Sequence, residues 1–104
     1  MKPIRLAAEA AEELAEATLW YEDQRPGLAA ALLDDVERTL TRIGAEPQSF
    51  PRIAGLPLKI GIRRALCRKF PYAILFLELS DHLRILAIAH TSRDPGYWLN
   101  RVKP

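Results

Sequence analysis

The hydrophobic period of this chain changes once, between Gly44 and Pro57. Before the change, Ala7, Ala11, Leu14, Thr18 and Tyr21 recur at spacings of three and four, as do Ala29, Leu32, Val36, Leu40 and Ile43. After it, Leu58, Ile60 and Ile62 alternate, and "AILFLEL" and "LRILAIAH" are nearly continuous apolar runs. The first pattern is that of helices with one buried face, the second that of strands. "RPG" at Arg25 to Gly27 separates the two helices, because proline does not continue a helix but fits its first turn. The second helix is expected to stop at Gly44, with Pro47 just beyond.

Two amphipathic helices joined by so short a break form an antiparallel hairpin. Pro3 to Leu6, with Ile4 and Leu6 on one side, reads as a short strand ahead of it. The order is therefore β-α-α-β-β-β with a C-terminal tail or short helix. This is an α+β fold with the helical hairpin on one face of a small, mostly antiparallel sheet. The place of the N-terminal strand in the sheet stays open. Glu9, Glu12, Glu13 and Glu16 fall mostly outside the first apolar stripe, and Asp34, Asp35, Arg38 and Arg42 outside the second.

At 104 residues without a linker or internal repeat, residues 1–104 form a single domain. Cys67 is the only cysteine, which excludes an internal disulfide and a zinc cluster and suits a reducing compartment. Neither a signal peptide nor a membrane-spanning run is visible, so a cytoplasmic protein is expected. Charge is segregated. Residues 1–50 carry five Lys/Arg against ten Asp/Glu (net −5), and residues 51–104 carry ten against three (net +7). A split of this size directs the second half toward something anionic, nucleic acid or an acidic protein.

Several chemistries are excluded. The five glycines make no phosphate loop, and His82 and His90 lack metal-spaced partners, so neither a cofactor nor a metal is expected. Cys67 reads as a small core residue. The run Lys59, Arg63, Arg64, Arg68 and Lys69 does not alternate cleanly with Ile60, Ile62 and Leu66, which are expected on the core face. Either a bulge resets the register or some guanidinium groups lie under the helices or at the sheet edge. The cluster is a candidate anion site, or else the charge of an edge strand. "HTSRDPGYWLNR", His90 to Arg101, offers a histidine, an arginine and a tyrosine that suit metal-free RNA cleavage. Equally, His90 bonds to the backbone, Arg93 pairs with Asp94, and Tyr97 and Trp98 close the core.

The ensemble resembles the RelE/ParE superfamily of type II toxin–antitoxin toxins, in particular its ParE-like plasmid stabilisation branch. The resemblance rests on "WYEDQRPGL" at the helix junction, "IRRALCRK" and "FPYAILF" in the strands, and "LAIAHTSRDPGYWLNR" at the end. It implies a growth-inhibiting toxin neutralised by a cognate antitoxin. ParE-like members poison DNA gyrase by binding, and RelE-like members cut mRNA on the ribosome. ParE-like gyrase binding is the preferred expectation. For a nuclease, Arg63, Arg64, His90, Arg93 and Tyr97 are the catalytic candidates. A surface meeting target or antitoxin would use Lys59, Arg63, Arg64, Arg68, Arg93, Trp98 and Arg101. A member that only binds antitoxin is the third alternative.

Overall fold

The computed structural model describes residues 1–55, 61–94 and 96–102. The elements are β1 (Ile4–Leu6), α1 (Ala8–Gln24), α2 (Leu28–Ala45), a 3-10 turn (Pro47–Ser49), β2 (Arg63–Leu66), β3 (Tyr72–Glu78), β4 (Leu83–His90) and a final 3-10 turn (Leu99–Arg101). The βααβββ order is the one read from the change of period. The alternation at Leu58 and Ile60 lies outside the described residues.

In α1 the buried stripe is turned from the expected face. Ala10 and Ala17 are buried and Ala11 is exposed, with Leu14 and Tyr21 half-buried beside them. Alanines at the contact let the helix axis approach β4 closely, so the smallest side chains set the packing face rather than the largest. At the hairpin turn Gly27 adopts φ +95°, a left-handed conformation natural to glycine. The Glu22 carboxylate accepts hydrogen bonds from the Gly27 N–H (3.0 Å) and the Ala29 N–H (3.1 Å). An acid from the end of α1 thus satisfies the open N–H groups at the start of α2.

The second helix does not stop at Gly44. It continues to Ala45, and Gly44 is buried within its last turn. A Cβ there would lie 3.3 Å from Met1 Sδ and 3.4 Å from Ile4 Cδ1. The glycine serves close approach of α2 to the N-terminal strand, not termination. Asp35 also departs from expectation: it is buried, together with Thr39.

The sheet order is β1-β4-β3-β2. This places the N-terminal strand at an edge, parallel to β4, with Ile4 opposite Leu83 and Leu6 opposite Ile85. The other pairings are antiparallel. β3 is interior, which explains its four consecutive buried residues, Ala73 to Phe76. A register shift lies where Leu75 pairs with Ala87 but Phe76 pairs with Ile85. The extra residue, Leu86, lets Leu86 and Ala87 pack into the same cluster, below the sheet.

Both faces are covered. The hairpin buries Leu32, Val36 and Ile43 against Ala65, Ile74, Phe76 and Ile88. On the opposite face the tail lays Trp98, Tyr97 and Val102 over Ile62, Leu75, Leu86 and Ala87. Leu66, expected in the core, is 51% exposed. It ends the edge strand β2 on the tail side, where it lines an open groove.

Candidate functional site

The site is organised by an unfinished sheet edge. β1 runs out at Leu6, opposite Ile85, and the Ala7 N–H closes that stretch on the Ile85 carbonyl (2.9 Å). Beyond it, side chains take the place of a strand. The Ile88 N–H donates to Glu13 Oε1 of α1 (3.0 Å), and the Leu86 carbonyl accepts from Arg101 Nη1 of the tail (3.0 Å). Arg101 in turn holds both carboxylate oxygens of Glu13, at 3.0 and 3.2 Å, in a two-pronged pair. The Tyr97 hydroxyl donates to the same carboxylate. Burial, then the contact with Glu13, pushes the Tyr97 phenol up to about 12. The tail is therefore tied to α1 and β4 by one acid with four donors.

Arg93 stacks its guanidinium 3.9 Å from the Tyr97 ring centroid, a cation–π contact, in place of the expected pair with Asp94. His90 packs edge-on against Tyr72 at 5.3 Å between centroids. Its Nδ1 accepts the Ser92 N–H (3.1 Å), so a neutral His90 carries its proton on Nε2. Burial pushes the Tyr72 phenol up to about 12 as well.

Next to these residues, on the tail-side face, lies a groove of about 330 Å³. Arg64, Leu66, His90, Arg93, Tyr97 and Trp98 line it. The structure thus gathers four of the five residues named for RNA cleavage along one surface. It does not gather the fifth. Arg63 points to the helix side of β2, where its guanidinium donates to the Phe50 carbonyl (2.6 Å) and the Gln48 carbonyl (3.4 Å). No bulge in β2 is needed to explain the arginine run; alternation sends Arg63 under the connector and Arg64 into the groove. Arg68 lies past the end of β2, in the turn before β3, against α2. Arg101 is consumed by Glu13. Lys59 lies outside the described residues.

Two participants escaped the sequence reading. Glu13 sits between Ala10 and Ala17 on the buried face of α1, so a stripe registered on those alanines would have found it. Asp35 receives the N–H groups of Arg68 (3.2 Å), Lys69 (2.9 Å) and Phe70 (2.8 Å), and so fixes the turn between β2 and β3. Cys67, just after β2 rather than within a strand, is half-buried beside Thr39, and burial pushes its thiol up. A thiol so raised is a poor nucleophile at neutral pH. Among the described residues, no three His, Cys, Asp or Glu are grouped to hold a metal ion, and no helix is long and apolar enough to cross a membrane.

The molecule is thus a helical hairpin on one face of a mixed four-stranded sheet, strapped by a short tail on the other. The family described as "ParE toxin of type II toxin-antitoxin system, parDE" matches residues 4–95, and the chain belongs to it. Among solved structures, one from the chromosomal ParDE toxin–antitoxin system of P. aeruginosa is similar in fold. It has a TM-score of 0.67 and 19% sequence identity, covering 86% of this chain and 96% of that chain. No curated protein matches the sequence.

Proposed function

We propose that this ParE-type toxin arrests growth by binding DNA gyrase, not by cutting RNA, and that a cognate antitoxin neutralises it in the cytoplasm. The observation that carries this reading is the commitment of the Tyr97 hydroxyl to Glu13. Cleavage of RNA needs one group to take the 2′-hydroxyl proton and another to supply a proton to the leaving oxygen. Tyr97 would be the second, yet it is raised to about 12 and already donates to a carboxylate. Arg63 is spent on backbone carbonyls. What remains is Arg64, Arg93 and His90 beside an apolar floor, a surface suited to binding. We put the antitoxin on the same groove: an extended segment and a helix, with acidic residues facing Arg64 and Arg93 and apolar ones covering the exposed Leu66 and Leu99, Trp98 being already buried beneath the tail.

The second reading, a ribosome-dependent endoribonuclease, draws on the convergence of Arg64, His90, Arg93 and Tyr97 on one groove. Substitution separates the two. In a nuclease, His90→Gln and Tyr97→Phe each lower cleavage by about 10²–10⁴-fold and abolish toxicity. In a gyrase poison both variants stay toxic when folded, whereas Arg64→Glu with Arg93→Glu reduces toxicity. Loss of toxicity in folded Tyr97→Phe and His90→Gln, together with cut mRNA in the wild type, would reverse the proposal.

A further inference from the structure

On the helix side of the β2 edge, away from the tail groove, lies a second basic hollow of about 490 Å³. Arg38 and Arg42, one turn apart on α2, form one wall, and Arg68 and Lys69, from the turn after β2, form the other. These residues come from the acidic and the basic halves of the sequence, so only the fold unites them.

The charges can be accounted for one by one. Arg38 is partly neutralised by Asp34, whose Oδ2 accepts from its Nε at 2.9 Å in an exposed pair. Asp35 lines the hollow, but its carboxylate oxygens are occupied by three backbone N–H groups. Arg42 donates through Nη2 to the Leu66 carbonyl (3.1 Å) and Thr39 Oγ1 (3.3 Å), and its guanidinium lies 5.8 Å from the Phe50 ring centroid; its other N–H groups make no hydrogen bond among the described residues. Arg68 and Lys69 are exposed, and their side chains make no hydrogen bond or ion pair among the described residues. Three cations, Arg42, Arg68 and Lys69, therefore face a space in which one acid is already engaged.

We infer that this hollow binds the phosphate backbone of nucleic acid. Among the described residues its lining holds no aromatic or aliphatic side chain. A protein partner would be held by apolar anchors at the centre of the contact, and none is offered. Single-stranded bases would need an aromatic platform for stacking, and that too is missing. What the hollow offers is fork-shaped and point-like cationic donors, the chemistry that reads phosphates without reading sequence. Duplex DNA is the form that presents them without a stacking requirement. The site is independent of which protein the toxin attacks.

The test is fluorescence anisotropy of a short labelled DNA duplex with the purified full-length toxin across a salt series. Three phosphate contacts predict a slope of log K on log salt of about −2.7, so affinity falls by about 40-fold between about 50 and 200 mM salt. Arg68→Glu with Lys69→Glu leaves the Asp35 contacts intact, because those use backbone N–H groups. That variant should lose DNA binding and about two units of slope. The matched control is Arg5→Glu with Arg84→Glu, a pair across β1 and β4 at the other edge of the sheet. It changes net charge equally and should keep most of the affinity. Equal losses in both variants, or no binding at low salt, would overturn the inference. So would tighter binding to a poly-glutamate peptide than to DNA, which would assign the hollow to an acidic protein.

Discussion

Glu13 in the first helix and Arg101 in the last turn are separated by 88 positions and meet at 3.0 Å, with 15% and 13% of their side chains exposed. The pair is the clasp of the molecule. It joins helix, central sheet and tail at the point where β1 is too short to finish the edge of β4. A carboxylate that accepts from Ile88 N–H, Tyr97 OH and Arg101 together is hard to replace, because its removal strands a guanidinium and a backbone donor at once.

Glu13→Gln should therefore destabilise the fold by about 3–5 kcal/mol, the range for breaking a largely buried ion pair from one side. Arg101→Met should cost less, since Glu13 keeps two donors. The double variant should be more stable than the sum of the singles implies, by about 1 kcal/mol or more, because the two side chains share one network. Urea unfolding of the four proteins checks this. Additive effects would mean that the clasp contributes no coupling.

Asp35→Ala should be among the more damaging single changes to the turn between β2 and β3. It removes the common acceptor of three successive N–H groups and leaves them in a partly buried turn. A loss of about 2–3 kcal/mol follows, a drop in Tm of roughly 10 °C for a domain of this size. Asp35→Asn, with one acceptor oxygen left, should lose about half as much. Thermal unfolding followed by circular dichroism measures both.

Stability should fall at alkaline pH. Tyr72 and Tyr97 are both raised from 10.0 to about 12, with burial as the first cause. A group whose folded pKa lies above its unfolded value favours the native state fully below the unfolded value. That contribution is lost as pH rises through the folded one. The window is therefore roughly pH 10 to 12. Ultraviolet titration should show two phenols ionising late and together with unfolding, and Tyr97→Phe should remove one of them. Ionisation of all three tyrosines near pH 10 in the folded protein would contradict the packing described for Tyr72 and Tyr97.

Element order and type were legible because periodicity reports which face is buried. Leu32, Val36 and Ile43 fell where their spacing put them, and Leu83 to His90 formed one strand over the expected residues. What failed was the polar part of the interior. Asp35 and Glu13 look like surface acids until the turn and the sheet edge that need them are in place, and those contacts lie 33 to 88 positions away. Gly44 was read as a stop because local sequence cannot distinguish a glycine that ends a helix from one that admits a neighbouring chain. The arginine run was ambiguous for a related reason. Alternation separated Arg63 from Arg64, but only the connector's carbonyls explain why Arg63 turns inward. Of the tail, the aromatic closure was visible in the sequence, while its anchor on α1 was not.

On the proposed reading this toxin acts by binding, with Tyr97 holding the tail and taking no part in RNA chemistry. The most direct measurement is DNA supercoiling by purified gyrase in the presence of wild-type toxin and of folded Tyr97→Phe. Both proteins should inhibit supercoiling to a similar degree, and neither should cut mRNA on translating ribosomes. Undiminished supercoiling, together with ribosome-dependent cleavage that Tyr97→Phe reduces by about 10²-fold or more, would contradict it.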